Sequence, residues 1–338
     1  MTKLVNLIGE TRASRPHDPT RYVSAWTERE LLDGEVVDAF VLILRTKGCY
    51  WARKSGCSMC GYVSDGFVNV SEEDLMVQWA DALEEYRGQP VVKVYNSGNF
   101  FDPSEIPPEA RKRILADLGE RCQKVVVENL PQLVRKPLLA EALGLCPRFE
   151  IAIGLETADD FVRDHTISKD FDFARYQKAV QAAHAAGATV KTYLLFKPPF
   201  LSEGAAMRDV IASVRAIDGL SDTISINPTN VQRDTLVDRL YRRGEFRPPW
   251  LWSLVEVLKE VRDAKSRVMS KPTGGGHRRG AHNCGHCDAV VLRAVEDYSI
   301  QHEDWLDEPA CTCQDNWSTY VRLEETAHSS VDLERFLT

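Results

Sequence analysis

Six times in succession between residues 38 and 263, a short apolar run gives way to a longer stretch with helical spacing. The short runs, at 40–44, 91–95, 124–127, 149–153, 189–196 and 223–226, are rich in Val, Ile, Leu and Phe, the composition of buried strands. The stretches between them read as helices at 71–86, 107–121, 137–145, 173–186, 203–217 and 249–263. The first carries Leu75, Trp79, Leu83 and Tyr86 on one stripe and opens on Ser71 with Asp74, a capping-box pattern. The fourth, rich in Ala, stops at Gly187. Alternation of this kind predicts an α/β fold with a parallel sheet and outer helices. Each strand runs into a loop of polar residues, Gly or Pro, as in a barrel whose site lies at the C-terminal face of its strands. Six units rather than eight predict a partial parallel (βα)6 TIM-like barrel over residues 38–265.

The flanks read differently. Residues 1–37 are polar, with Arg12, Arg15 and Arg21, and are expected to form an N-terminal extension, helical through 28–32. Beyond residue 265 the chain becomes Gly-rich, basic and then Cys- and His-rich, so 266–338 is expected to be a small metal-binding region. At 338 residues and 43% hydrophobic content the chain supports a sizeable core. No run approaches the ~20 apolar residues of a membrane span. The first residues lack a signal-peptide core, so the expected location is cytoplasmic, with no membrane partner. Nine cysteines there point to metals rather than disulfides. A formal charge of −8 excludes a globally basic nucleic-acid binder.

Three of the nine, Cys49, Cys57 and Cys60, sit directly after the first strand. Three thiolates are one short of those that close a four-iron, four-sulfur (4Fe-4S) cluster. The open iron could take the amino and carboxylate groups of S-adenosylmethionine. Gly48, Gly56 and Gly61 would let the backbone fold tightly around the cluster. The competing reading is three buried or zinc-bound cysteines, but zinc would want a fourth ligand nearby. A second set, Cys284, Cys287, Cys311 and Cys313, offers four soft ligands in two close pairs. Its spacing suits a structural zinc (Zn2+) site, with His282 and His286 as substitutes. A second iron–sulfur cluster is the rival. Cys122 and Cys146 stand alone and are expected in the core. Arg233, Arg239, Arg242, Arg243, Arg247, Lys271, Arg278 and Arg279 form the most basic segment, either a tRNA phosphate surface or scattered solvated side chains.

The cysteine loop, Ser97-Gly98-Asn99 and Gly154-Leu155-Glu156 together resemble the radical-SAM core shared with methylthiotransferases. The fuller pattern is Thr46-Lys-Gly-Cys49-Tyr-Trp, Cys57-Ser-Met-Cys60-Gly-Tyr62, His282-Asn-Cys284-Gly-His-Cys287-Asp288 and Cys311-Thr-Cys313. It resembles the archaeal RaSEA family, the radical-SAM enzymes of archaeosine biosynthesis, from about Trp26 to Trp317. The resemblance implies a C–N lyase. It would act on lysine-modified 7-cyano-7-deazaguanine in the tRNA D-loop and leave archaeosine through a 5′-deoxyadenosyl radical. It also implies two partners besides tRNA. One is the tRNA-guanine-transglycosylase-related archaeosine synthase that attaches lysine; the other is an electron donor such as ferredoxin or flavodoxin.

Carried over by position, Cys49, Cys57 and Cys60 would hold the 4Fe-4S cluster. Ser97, Gly98 and Asn99 would hold the amino group of S-adenosylmethionine, Glu128 and Glu156 would face its ribose or the substrate, and Met59, with Tyr62, would pack on adenine. The chain departs from the common radical-SAM pattern in placing seven residues, not three, between its first two cysteines. Met59 also replaces the usual aromatic residue, and its adaptable side chain can serve the same purpose. Positions after the strands make Lys197 and Arg233 candidates to grip the substrate carboxylate, and Glu156 or Asp160 its amine. The alternatives are a methylthiotransferase-like tRNA modifier and a zinc-stabilised nucleic-acid-binding protein. The first normally carries another N-terminal cysteine triplet, and residues 1–48 hold no cysteine. The open three-cysteine loop on a βα scaffold argues against the second.

Overall fold

Helix α1 (Thr2–Gly9) precedes a hairpin of β1 (Ser24–Leu32) and β2 (Glu35–Ile43). The cysteine loop follows, carrying the short α2 (Tyr50–Lys54), and then α3 (Glu72–Leu83). Strands and helices now alternate: β3 (Val91–Tyr95), α4 (Pro108–Arg121), β4 (Lys124–Glu128), α5 (Lys136–Leu145), β5 (Phe149–Glu156), the single turn α6 (Asp160–Val162), α7 (Phe173–Ala186), β6 (Thr189–Phe196), α8 (Glu203–Ile217) and β7 (Thr223–Pro228). The chain continues through α9 (Leu236–Arg242), α10 (Leu251–Glu260), β8 (Arg267–Met269), α11 (Asp288–Gln301) and α12 (Cys313–His328). This computed structural model describes residues 2–10, 17–66, 69–301 and 304–328; Arg12 and Arg15 lie outside the described residues.

All eight strands form one curled half-barrel sheet in sequence order. β2 to β8 run parallel, and β1 closes one edge antiparallel to β2. The expected parallel α/β half-barrel is therefore present, with a strand added at each end. Residues 28–32, expected to be helical, belong to β1. Their Glu and Leu content favours a helix, but pairing with β2 overrides it. Asp33 and Gly34 turn the hairpin with positive φ values of 53° and 85°, the two-residue turn that matches strand twist. At the other end, β8 carries the sheet past residue 265. The C-terminal helices continue the same body: α11 packs against β1, β8 and α10, and α12 against α8.

Period-two alternation sorts the strand residues. Phe40, Leu42, Val92, Val94, Val125, Val127, Ile151 and Ile153 face the helices and build the main core. Leu75 and Trp79 meet them from α3, which starts with the capping box of Ser71 and Asp74. Each such side chain contributes about 1.5–3 kcal/mol by leaving water. The opposite face is unusual for a barrel interior: it presents Lys93, Glu150 and Lys191, all under 5% exposed, rather than packed layers of Val, Ile and Leu. No helix among the described residues is long and apolar enough to cross a membrane.

Candidate active site and cysteine centre

Leaving β2, the chain is clamped by Gln78 of α3. Its Oε1 accepts from Arg45 N at 2.8 Å, and its Nε2 donates to Arg45 O at 3.0 Å. The cysteine loop is then tied to three other βα loops. Cys49 N donates to Ser97 O at 3.1 Å and Ser58 N to Ile167 O at 2.9 Å. Gly61 N donates to the Gln232 side chain at 2.5 Å. A Cβ on Gly61 would meet Gln232 Cβ at 2.8 Å, so this close approach requires glycine.

Cys49, Cys57 and Cys60 line one end of a cavity of about 410 Å³ at the C-terminal mouth of the strands. Burial pushes the Cys49 thiol up to about 11 and the Cys57 thiol higher still. Among the described residues the three sulfurs are not joined by another His, Cys, Asp or Glu into a compact set. A single tetrahedral ion needs four close ligands; three thiols facing a cavity with no fourth beside them suit a multi-iron cluster with one open iron.

Ser97 and Gly98 line the cavity beside Cys49, whereas Asn99 is fully buried behind them. Asn99 Oδ1 accepts from Leu130 N at 2.8 Å, and its Nδ2 donates to Glu105 at 2.9 Å. Asn99 thus holds the turn, and its Nδ2 also lies 4.0 Å from Cys49 Sγ. Glu105 organises this turn. It accepts from Asn99 N at 3.0 Å, Asn96 Nδ2 at 2.9 Å and Thr46 Oγ1 at 3.3 Å. Sequence reasoning missed it because a lone Glu in a loop carries no pattern.

Glu128 and Glu156, at the ends of β4 and β5, both line the cavity, as do Met59 and Tyr62. Burial raises the Glu128 carboxyl to about 7, opposed by Lys169. Glu156 has a φ of 68°, a strained conformation for a non-glycine residue. It sits at a register shift between β5 and β6 and pairs with Lys169 at 2.7 Å. Deeper in, Tyr95 and Tyr193 join hydroxyls at 3.1 Å. Below them lies an ionic floor. Lys93 meets Glu28 at 2.6 Å and Glu30 at 2.5 Å, and Lys271 meets Glu28 at 3.0 Å. Lys191 lies 3.3 Å from Glu30 and 3.6 Å from Glu150; Arg267 and Lys124 complete the set against Glu30 and Glu150.

Two expected substrate contacts are elsewhere. Lys197 is 1% exposed and absent from the cavity wall. Its ammonium is held by Glu203 at 2.7 Å and Glu324 at 3.5 Å, over the rings of Phe246 and Tyr320. Arg233 is exposed and also off the wall, where its neighbour Gln232 takes the position. Asp160 pairs with Arg163 and accepts from Phe173 N. In the basic segment, Arg242 and Arg279 both pair with Asp238, Arg239 with Glu10, and Arg243 with Glu245. Each of those arginines has a carboxylate partner while its side chain stays exposed to solvent.

The four C-terminal cysteines converge. Their Sγ atoms stand 3.9 Å (Cys284–Cys287), 3.8 Å (Cys284–Cys311) and 3.7 Å (Cys287–Cys313) apart. A tetrahedron with ~2.3 Å metal–sulfur bonds has edges of about 3.8 Å, so these cysteines fit one ion. A second shell supports them: Trp252 Nε1 donates to Cys313 at 3.1 Å and Asn283 Nδ2 to Cys287 at 3.4 Å. Neither His282 nor His286 belongs to this group. Cys287 and Cys313 are buried in the main core, as is Cys146, with Cys122 packed against it.

No family profile matches the chain. The archaeosine synthase subunit beta of Methanosarcina acetivorans is 37% identical over 344 residues, covering 99% of each chain. That of Thermococcus kodakarensis is 38% identical over 309 residues, covering 88% of this chain and 95% of the relative. Among solved structures, Elp3 of Methanocaldococcus infernus aligns with a TM-score of 0.49 and 16% identity, over 66% of this chain and 59% of that one. Similarity to curated relatives along essentially the whole length puts the identity beyond the cysteine motifs alone: the chain belongs to the archaeosine synthase subunit beta family.

Proposed function

We propose that this chain is the radical-SAM C–N lyase of archaeosine biosynthesis. Its substrate would be lysine-modified 7-cyano-7-deazaguanine in the tRNA D-loop, and the product archaeosine. The observation that carries the reading is the set of three cysteines opening on a charged cavity at the mouth of a half-barrel. Full-length similarity to archaeosine synthase beta subunits supports it. Cys49, Cys57 and Cys60 would hold a 4Fe-4S cluster whose open iron takes S-adenosylmethionine. Together these groups supply one-electron cleavage to a carbon radical able to take hydrogen from an unactivated C–H bond.

The protein's task is then position and exclusion of water. The target carbon must come within about 3–3.5 Å of its partner. Ser97 and Gly98 offer a backbone edge beside Cys49. The Glu128 carboxyl, near Lys169, lines the cavity and is available to a hydroxyl or amine. Met59 supplies an apolar wall. Glu156 and Lys169 form a paired charge beside the cysteines that can orient a polar substrate. The name of the relatives marks one subunit of a larger synthase; the partner we propose is the transglycosylase-related enzyme that attaches lysine, and the electron donor a ferredoxin or flavodoxin. The C-terminal cysteines would bind one structural zinc ion.

The test loads tRNA with lysine deuterated at its side-chain carbons. Deuterium should appear in 5′-deoxyadenosine as archaeosine-containing tRNA accumulates. Deoxyadenosine formed at the same rate without lysyl-modified tRNA, and free of deuterium, would remove the lyase assignment.

A further inference from the structure

One cavity wall includes both the three cysteines and, at its other end, Lys93, Lys191 and Lys271. A molecule filling the cavity therefore touches both. The ionic floor is unbalanced: five cations face three carboxylates. Its donors are also underused. An ammonium has three N–H groups. Lys93 spends two, on Glu28 and Glu30. Lys271 spends two, on Glu28 and the Arg29 carbonyl. Lys191 makes one hydrogen bond, to Glu30, and stands 3.6 Å from Glu150 Oε1. Buried donors without partners are costly, and burial together with Lys93 holds both Lys191 and Lys271 below the ordinary lysine value. An anion with several acceptor sites would relieve both the charge excess and the unmet donors.

We infer that Lys271 and Lys191 form the binding floor for the α-carboxylate of the amino acid carried by the modified base. The inference rests on the proposed lyase reading and replaces Lys197 and Arg233 in that role. A backbone phosphate could meet only Lys271, whose side chain is 31% exposed; Lys191 is 4% exposed, and a polymer cannot descend to it. A carboxylate on a flexible aliphatic tail can. In the proposed reading the cofactor's own carboxylate would be taken by the open iron that Cys49, Cys57 and Cys60 would hold.

The experiment compares two tRNAs with the cluster-loaded full-length protein, without reductant, by equilibrium binding. One carries lysine joined through its side-chain amine. The other carries 1,5-diaminopentane, which is lysine without the carboxylate. Wild type should bind the first about 10- to 100-fold tighter, the range for a charged hydrogen-bonded contact. Lys271→Met should reduce that preference to within about threefold, and Lys271→Arg should restore part of it. Lys191→Met, read independently, should also shrink the preference. Equal wild-type affinity for the two tRNAs, or a Lys271→Met loss equal for both, would overturn the floor. Adding reductant separates the two readings. The expected preference without deoxyadenosine would remove the lyase and keep the floor; normal product with equal affinities would do the reverse.

Discussion

Gly98 and Glu105 are fitted against each other so closely that a Cβ on Gly98 would lie 1.9 Å from the Glu105 carboxylate. Glu105 cannot retreat cheaply, because it fastens Thr46, Asn96 and Asn99 from a site 1% exposed. Gly98→Ala should therefore break this buried network and cost about 2–4 kcal/mol of stability by urea unfolding. The loaded enzyme should also lose S-adenosylmethionine cleavage, since the turn borders Cys49. An alanine variant with wild-type stability would show that the turn relaxes freely.

Much of this was legible beforehand, and the reasons differ by residue. Period-two apolar runs and capped helices announce β2 to β7 because burial on one face leaves a periodic trace. The cysteines announce themselves because thiol chemistry at short spacing has few other uses. β1 was missed although Asp33-Gly34 is a strong hairpin signal; its inward residues, Glu28 and Glu30, are charged and break the apolar pattern. The floor was invisible for the same reason. Lys93, Glu150 and Lys191 occupy strand positions where hydrophobic residues are expected, and only the fold shows that the two lysines meet Glu28, Glu30 and Glu150 there. Lys197 misled because its position after β6 is that of a site residue, while its side chain turns to Glu203 and α12.

Lys197→Met tests that correction. Glu203 is 0% exposed and would lose its cation. Removing one partner of a buried pair costs about 3–5 kcal/mol. Calorimetry should show that destabilisation. At a temperature where the variant remains folded, its affinity for lysine-bearing tRNA should match wild type. Selective loss of that affinity, with stability intact, would return Lys197 to the site.

The C-terminal cysteines should bind one zinc ion per chain. Because metal binding at such a site is coupled to folding, Cys284→Ser should lower melting temperature and soluble yield before any effect on cofactor cleavage. Cys313 begins α12, which continues to Glu324 beside Lys197, so its loss should loosen both ends of that helix. Protein stripped of the 4Fe-4S site by Cys49→Ala, Cys57→Ala and Cys60→Ala should retain zinc in unit stoichiometry. Iron with acid-labile sulfide in that variant would replace the zinc assignment by a second cluster.

Asp209, on α8, gives a pH signature. Its Oδ1 accepts from Thr157 Oγ1 at 2.8 Å, while its Oδ2 is buried without a partner. Burial raises the carboxyl to about 6, against the Thr157 hydrogen bond and helped by Asp159. The folded value lies above the unfolded one, near 3.9. The neutral form is thus favoured on folding. Its stabilisation is complete below about pH 4 and is lost as pH rises through about 6. Above that, ionised Asp209 is a net cost of about 1–3 kcal/mol, allowing for its partial exposure. Asn keeps the acceptor for Thr157 and cannot ionise. Asp209→Asn should therefore gain about 1–3 kcal/mol relative to wild type between about pH 4 and 7, measured by urea unfolding at both ends. Zinc release at the acidic end falls on both proteins alike and cancels in the difference. A mutational effect independent of pH would mean that Asp209 stays ionised in the folded protein throughout that range.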